Sequence, residues 1–256
     1  MSTTVKLKSN GAVRRVVFKS ENGIQILSAS VRRDLKAIVQ QLEDDAECRV
    51  VVFEATGRTF IAGADLHELQ SLTVQTAHKF ARSGQRLFQR IAALPAVTIA
   101  AIHAPCVGGG CELALACDIR MAAESAKIGL PEVTLGLIPG WGGTVRSRRI
   151  LGSAISTRVV LSGELFAAKD ALHLGLVHDV VPDDQFAAAL DAKVRQHLRG
   201  ERVAVGLAKH LLHEGDDSLV RRLKHEARAF AACYSTPAAH EGITAFLEKR
   251  AAEWTK

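Results

Sequence analysis

Residues 105–116, PCVGGGCELALA, decide the fold of this 256-residue chain. The stretch passes from a short β-like run through three glycines into an apolar helical run. Glycines at 108–110 let the backbone turn sharply and bring N–H groups close to a ligand, and a helix N-terminus adds the positive end of its macrodipole. Glu112 falls in the first helical turn. The pattern is typical of a site for a developing oxyanion, although an ordinary tight turn with a dipole-favoured glutamate fits it equally well.

Two further glycine-containing loops carry candidate functional residues. Residues 58–66 (RTFIAGADL) follow the β-like run at 50–54 and precede a helical pattern, so this loop can present another backbone N–H group. Residues 129–144 (GLPEVTLGLIPGWGGT) place a single carboxylate, Glu132, in an apolar stretch rich in proline and glycine. Partial burial there would suit proton transfer. Taken alone, Glu132 is more often a surface or capping carboxylate.

Around these loops the chain alternates β-like and helical patterns, which predicts a mixed α/β core over residues 1–184. From about residue 185 only helical patterns remain, so residues 185–256 are predicted to form a helical C-terminal region. The helix at 30–42 has Ser28 and Ser30 as candidate N-caps. The predicted strands are 12–18, 50–54 and 96–102, and the predicted helices are 30–42, 186–198, 203–212, 219–232 and 238–254.

Composition excludes several classes of protein. Hydrophobic residues make up 48% and charged residues 23% of the chain, which is ordinary for a globular domain and unlike a disordered chain. Residues 91–111 contain no Asp, Glu, Lys or Arg, yet Pro95, Pro105 and the three glycines would break a lipid-facing helix. This stretch is therefore predicted to be a buried strand, a turn and a helix start, and no membrane association is expected.

The five cysteines form no Cys-x-x-Cys pair, and the chain begins without the apolar run of a secretory signal. These two observations predict buried free thiols and a reducing, cytoplasmic location. None of the ten histidines lies at metal-ligand spacing, so no metal is predicted.

The charge excess of +6 comes from 33 basic and 27 acidic side chains. Residues 1–20 hold five bases and no acid, and the rest of the chain is nearly neutral. A second basic cluster either binds an anionic partner, or its side chains lie on solvated faces or form salt bridges between subunits. With one Tyr and two Trp the chain offers no stacking platform for bases, so nucleic-acid binding is not expected. The second cluster consists of Arg146, Arg148, Arg149 and Arg158.

Taken together and in this order, the segments resemble the crotonase (enoyl-CoA hydratase/isomerase) family over nearly the whole chain. The resemblance implies the α/β ClpP/crotonase-like fold, a spiral of ββα units with a C-terminal helical region that serves oligomerisation and completes the active site. It also implies a homotrimer or a dimer of trimers. The segments that carry it are AGADL (62–66), GGGCELALACDI (108–119), GLPEVTLGLIPGWGGT (129–144), LSGELFAAKDALHLGLVHDVVP (161–182) and EGITAFLEKRAAEW (241–254).

The resemblance assigns roles to individual positions. It implies that the N–H groups of Ala64 and Gly109 form an oxyanion hole for the carbonyl of an acyl-CoA thioester. Glu112 and Glu132 would hold a water molecule and transfer protons, with Gly140 beside the reacting centre. Because both glutamates are present, the resemblance favours an enoyl-CoA hydratase, a lyase of fatty-acid β-oxidation that converts trans-2-enoyl-CoA to 3-hydroxyacyl-CoA. A 3,2-enoyl-CoA isomerase is the near alternative, and an RNA-binding member of the same fold is a distant one.

The family resemblance also bears on several further positions. Trp141 either shapes the acyl pocket or packs under its turn, and Asp118 and Arg120 are expected to stabilise the fold. Residues 20–28 depart from the family pattern, so no CoA contact is predicted there. No cofactor is expected, since coenzyme A is part of the substrate. The residues that the resemblance places near CoA are Arg58, Ala62, Asp65, Leu66 and Lys249.

Overall fold

The computed structural model of the protein describes residues 3–200, 202–213, 223–224, 227–228, 230–235 and 237–250. Within them, a six-stranded sheet has the order β1-β2-β3-β4-β6-β9 and a three-stranded sheet the order β5-β7-β8. The strands are β1 (Thr4–Asn10), β2 (Val13–Lys19), β3 (Val50–Ala55), β4 (Val97–Ile102), β5 (Cys106–Val107), β6 (Ile119–Ala123), β7 (Lys127–Gly129), β8 (Leu165–Ala167) and β9 (Asp179–Val181).

The larger sheet is parallel from β2 to β9, with β1 added antiparallel at its edge. Every residue of β4 is buried, as expected for a parallel strand that is covered on both faces. Along β3, Val51 and Phe53 join the main hydrophobic core, whereas Val50 and Val52 join a second core on the opposite face. The sheet therefore separates two layers of helices.

Helices follow most of the strands. Ser28 caps the first of them by accepting a hydrogen bond from Val31 N, and Thr73 forms a capping box with Thr76 on the third. Three short 3-10 turns lie at Glu132–Leu135, Asp183–Gln185 and Cys233–Ser235. The α-helices are α1 (Ala29–Asp44), α2 (Leu66–Gln70), α3 (Val74–Ala93), α4 (Gly109–Ala116), α5 (Gly143–Ser162), α6 (Ala168–His173), α7 (Phe186–His197), α8 (Arg202–His213) and α9 (Ala238–Leu247).

Hydrogen bonds between loops bring the three glycine-containing segments to the same end of the larger sheet. The loop after β3 pairs with the loop after β4, because Phe60 N donates to Pro105 O at 3.0 Å and Val107 N donates to Ile61 O at 2.9 Å. Gly108 N in turn donates to Gly129 O at 3.0 Å. Carboxyl ends of parallel strands are where open α/β sheets place their sites. The backbone thus assembles the segments that the sequence singled out.

The predicted elements agree with the structure to within about two residues, with some exceptions. The strand, turn and helix start predicted over 91–111 are confirmed by β4, β5 and α4. The predicted helix at 238–254 is wrong at its end, because α9 stops at Leu247 and Lys249 adopts a positive φ of 56°. The end of that prediction at 251–254, and part of the helix predicted at 219–232, lie outside the described residues.

The predicted buried free thiols are largely confirmed. Cys48, Cys106, Cys111 and Cys117 are free and buried, and Cys233 is free and half-buried. Burial raises the pKa of Cys117 to about 12, so this thiol stays protonated and unreactive at neutral pH. In the described part of the chain, no helix is both long and apolar enough to cross a membrane.

An ion pair between the buried Lys209 and the half-buried Asp118 ties α8 to the segment that follows α4. Lys209 Nζ lies 2.7 Å from Asp118 Oδ2 and donates to Ala96 O at 2.9 Å. The same carboxylate oxygen accepts hydrogen bonds from the backbone N and the hydroxyl of Thr98. These contacts support the structural role predicted for Asp118.

Lys209→Met is expected to lower the free energy of unfolding by about 1–3 kcal/mol, because it leaves the half-buried charge of Asp118 without its lysine. Urea denaturation measures the change. The matched control is Lys169→Met, which breaks the exposed pair with Glu124 and should cost under about 1 kcal/mol. Equal losses in the two variants would contradict this account.

Candidate active site

A cavity of about 540 Å³ lies where the three glycine-containing segments meet. Its walls come from the loop before α2, the start of α4, the 3-10 turn at Glu132–Leu135, the loop before α5, and the C-terminal helical region. The predicted site residues among its lining are Ala62, Ala64, Asp65, Leu66, Gly109, Glu112, Glu132, Gly140 and Trp141.

The two predicted oxyanion donors are neighbours in this cavity. A Cβ atom built on Gly109 would lie 3.6 Å from Ala64 N, and one built on Gly63 would lie 3.8 Å from Gly109 N. Across the described residues, neither N–H group donates to a backbone acceptor outside its own helix or strand. Gly109 N is at the first turn of α4, where the helix dipole favours negative charge. The arrangement can stabilise an oxygen that gains charge during a reaction.

Glu112 is fixed at the base of the cavity. Its side chain is 2% exposed, and Oε1 accepts hydrogen bonds from Trp141 N at 2.7 Å and Gly143 N at 2.8 Å. Position 143 needs glycine, because a Cβ there would lie 2.6 Å from Pro139 Cβ and 3.1 Å from the Glu112 carboxylate. Two backbone donors favour the charged form of a carboxylate and hold it in one orientation.

Glu132 faces the same space from the 3-10 turn. A Cβ atom on Gly108 would lie 3.1 Å from Glu132 Oε1, so the carboxylate lies directly against the triple glycine. The other oxygen, Oε2, is buried. Burial, followed by the negative charges of Glu132 and Glu112, raises the pKa of the Cys111 thiol, which reflects how near both carboxylates are to α4. The two acids thus flank one cavity.

Trp141 both lines the cavity and packs under its turn, so the structure unites the two alternatives. The indole is 1% exposed and fits between two glycines, since a Cβ would approach it to 2.2 Å at Gly84 and to 2.6 Å at Gly109. Its ring centroid is 5.0 Å from that of Phe80, which stacks on Phe230 at 5.8 Å. The rings of Phe80, Trp141 and Phe230 line one side of the cavity, and this surface is here called the aromatic floor.

The residues predicted near CoA are divided between the cavity lining and the exposed surface outside it. Asp65 lines the cavity and also caps α2, where its Oδ1 accepts a hydrogen bond from His67 N at 2.9 Å. Arg58 and Lys249 are exposed and lie outside the lining; the Arg58 guanidinium donates to Asn22 O. Their roles toward CoA stay predictions. Among the described residues, no three His, Cys, Asp or Glu side chains are grouped to hold a metal ion.

Two buried side chains that sequence reasoning did not place at the site hold the loop before α5. Gln85 Nε2 donates to Gly140 O at 3.1 Å, and Arg146 NH1 donates to Trp141 O at 2.8 Å. Arg146 is 7% exposed, so for this residue the reading of the basic cluster as a solvated face or a subunit contact is wrong. The other three arginines are exposed.

Comparison with known proteins shows which family the chain is similar to. The enoyl-CoA hydratase/isomerase family model matches residues 8–256. A short-chain-enoyl-CoA hydratase of Clostridium acetobutylicum is 32% identical over 98% of this chain and 97% of its own length. A probable enoyl-CoA hydratase of Bacillus subtilis is 41% identical over 88% of each chain.

The solved structures give the same result for the fold. An enoyl-CoA hydratase from Mycobacterium avium subsp. paratuberculosis superposes with a TM-score of 0.89 at 27% identity, covering 100% of both chains. The predicted crotonase fold and the family resemblance are therefore confirmed. Together, the matched family model and the relatives of this identity and coverage establish that the chain belongs to the enoyl-CoA hydratase/isomerase family.

Proposed function

We propose that this protein is an enoyl-CoA hydratase that adds water reversibly to a trans-2-enoyl-CoA thioester to give the 3-hydroxyacyl-CoA. One observation carries the proposal: Glu112 and Glu132 flank the cavity that also contains the N–H groups of Ala64 and Gly109. Addition of water needs oxygen delivered to Cβ and a proton delivered to Cα, and two carboxyl groups can perform both transfers.

The first task is to polarise the thioester carbonyl. Its oxygen would accept hydrogen bonds from Ala64 N and Gly109 N, which draws electrons from the conjugated double bond and makes Cβ electrophilic. As the carbon–oxygen bond forms, negative charge moves onto the carbonyl oxygen. The paired donors and the start of α4 stabilise that charge more than they stabilise the neutral substrate.

The second task is proton transfer. Two backbone donors on Oε1 favour the carboxylate form of Glu112, so Glu112 would accept a proton from water while the water oxygen bonds to Cβ. The carboxyl of Glu132 would give a proton to Cα, and exchange between the two carboxyl groups restores the starting state. The net change is addition of one H and one OH across the double bond.

Incubation with crotonyl-CoA tests the proposal, because hydration removes the absorbance of the conjugated enoyl group. Loss of that absorbance with formation of 3-hydroxybutyryl-CoA is the expected result. An unchanged signal together with conversion of a 3-enoyl-CoA would contradict hydration and favour a 3,2-enoyl-CoA isomerase.

The CoA moiety would enter along the mouth of the cavity. Ala62, Asp65 and Leu66 line that space, which supports their proposed contacts with CoA, and Arg58 and Lys249 are proposed to reach its phosphates. The helical region would complete the site, since Phe230, Phe246 and Leu247 contribute to the lining.

We also propose that the protein assembles as a homotrimer or a dimer of trimers. Leu161, Leu207 and Leu212 are 69%, 59% and 76% exposed, and each would lose apolar surface to water on association. Light scattering after gel filtration distinguishes three, six or one chain. A monomer at micromolar concentration would contradict the proposal.

The aromatic floor supports a preference for short acyl chains. Trp141 lies next to Gly109 and lines the cavity, so we propose that it limits the space beyond the reacting carbons. Trp141→Ala is expected to raise the ratio of kcat/KM for trans-2-octenoyl-CoA to that for crotonyl-CoA by at least about tenfold, since each accommodated methylene contributes about 1–3 kcal/mol. A turnover panel across chain lengths measures the ratio.

Phe246→Ala is the control for this prediction, because Phe246 also lines the cavity but is 58% exposed. That variant should leave the chain-length ratio within about twofold of the parent. A Trp141→Ala profile identical to the parent profile would contradict the role of the aromatic floor.

A further inference from the structure

We propose that Gln85 is a positioning residue for the reaction, acting on Glu112 through one peptide group. The inference rests on the proposed function. Gln85 lies in the middle of α3, 27 residues before Glu112 in the sequence, and its side chain is 1% exposed. The following contacts connect the two residues.

The peptide unit between Gly140 and Trp141 is bound at both ends. Its carbonyl oxygen, Gly140 O, accepts a hydrogen bond from Gln85 Nε2 at 3.1 Å. Its N–H, at Trp141, donates to Glu112 Oε1 at 2.7 Å. A donor on the carbonyl polarises the peptide and strengthens the hydrogen bond that its N–H makes. The amide of Gln85 therefore both fixes and strengthens one of the two backbone donors on Glu112.

The second donor on Glu112 has the same arrangement with a different partner. Gly143 N donates to Glu112 Oε1 at 2.8 Å, and the carbonyl of the same peptide, Gly142 O, accepts from Arg146 N at 2.8 Å. That bond belongs to the first turn of α5 and is independent of side chains. The Gln85 amide thus binds the carbonyl of the Gly140–Trp141 peptide as the first backbone hydrogen bond of α5 binds that of the Gly142–Gly143 peptide. It also links α3 to the loop before α5.

Gln85 is itself held in place. Arg82 NH1 donates to Gln85 Oε1 at 3.1 Å, which fixes the orientation of the amide so that Nε2 faces Gly140 O. One residue earlier, Gly84 lets α3 approach the indole of Trp141. Gly84 therefore leaves room for the Trp141 side chain, and the adjacent Gln85 binds the backbone of the same loop.

The charged and titratable groups around Glu112 come from several elements. Glu132 faces the cavity from the 3-10 turn, Cys111 precedes Glu112 on α4, and the Arg146 guanidinium binds Trp141 O from α5. Arg82 acts through Gln85, and Arg32 of α1 stacks on the Trp141 ring at 5.3 Å. Replacing the neutral amide of Gln85 by a neutral side chain leaves all these charges in place.

Gln85→Met tests the proposal, because methionine is similar in length but lacks the amide donor. The expected result is a decrease of about tenfold in kcat for crotonyl-CoA hydration with KM changed less than about twofold. The acid limb of the kcat profile should move to higher pH, because the Trp141 N–H becomes a weaker donor to Glu112 and a carboxylate with a weaker donor binds a proton more readily. Hydrogen exchange of the backbone at 140–143 should quicken by about tenfold.

The matched control is Gln89→Met, since Gln89 lies one turn further along α3 and is exposed. It should match the parent in kcat, pH profile and exchange. If Gln85→Met does not fold, Gln85→Asn keeps the amide but shortens its reach, and the same changes are expected. A parent-like kcat and acid limb in the position-85 variant, or equal changes in the control, would overturn the proposal.

The proposed function can fail separately. If the parent protein does not hydrate crotonyl-CoA, hydratase activity is wrong, and the exchange measurement alone decides whether Gln85 holds the loop. Unchanged exchange at 140–143 in the position-85 variant would then overturn the positioning role.

Discussion

Glu112→Gln and Glu132→Gln are each expected to lower kcat for crotonyl-CoA hydration by about 10²- to 10⁴-fold, the usual contribution of one acid or base group. An amide can neither accept the proton of water nor deliver one to Cα. In Glu112→Gln the amide oxygen can still accept from Trp141 N and Gly143 N, so the loop before α5 should keep its position. Steady-state kinetics measures the loss.

Binding separates a chemical defect from a structural one. Both variants should bind butyryl-CoA, which has no double bond to hydrate, with a Kd within about threefold of the parent, because uncharged replacements leave ground-state contacts in place. Glu47→Gln, an exposed substitution, is the control and should hydrate normally. Full activity in either active-site variant would show that its assigned role is wrong.

Ala64→Pro is expected to lower kcat by about 10²- to 10³-fold, because proline has no N–H to donate to the thioester oxygen. Gly63 has a φ of 117°, outside the right-handed helical region that proline disfavours in the residue before it, and its carbonyl still accepts from Leu27 N. Ala64→Ser keeps the N–H group and is the matched control.

The expected pattern for position 64 is a loss of kcat in the proline variant and near-normal kcat in the serine variant. Circular dichroism and binding of butyryl-CoA verify that both proteins are folded. Equal kcat values in the two variants would contradict the assignment of Ala64 N to the oxyanion hole. Unlike the glutamate variants, Ala64→Pro should retain the parent pH dependence, because no titratable group changes.

The residues that were predicted at the site and that the structure brings to one cavity belong to short, continuous patterns. Ala64, Gly109 and Glu112 each follow a strand and begin or precede a helix, so local rules place them at the carboxyl end of a parallel sheet. Glu132 joins them from a proline- and glycine-rich segment of the same kind. For such residues the order of strands and loops predicts the position, whereas the role of each residue comes from the family resemblance.

Gln85 and Arg146 were missed for a physical reason: their roles depend on contacts across the fold. Gln85 reaches a carbonyl 55 residues away, and nothing local separates Arg146 from its exposed neighbours. One signal was available for Gln85. It occupies the buried stripe of α3 with Ala77, Ala81 and Phe88, and a polar side chain on an apolar helix face needs a buried partner.

The indole of Trp141 between Gly84 and Gly109 makes three distant positions interdependent. A methyl group added at either glycine would collide with the ring at 2.2 Å or 2.6 Å, whereas the same methyl group opposite a smaller residue would fill a void. Substitutions at 84, 109 and 141 should therefore be strongly non-additive. A lineage in which position 84 or 109 acquires a side chain therefore needs a smaller residue at position 141 first.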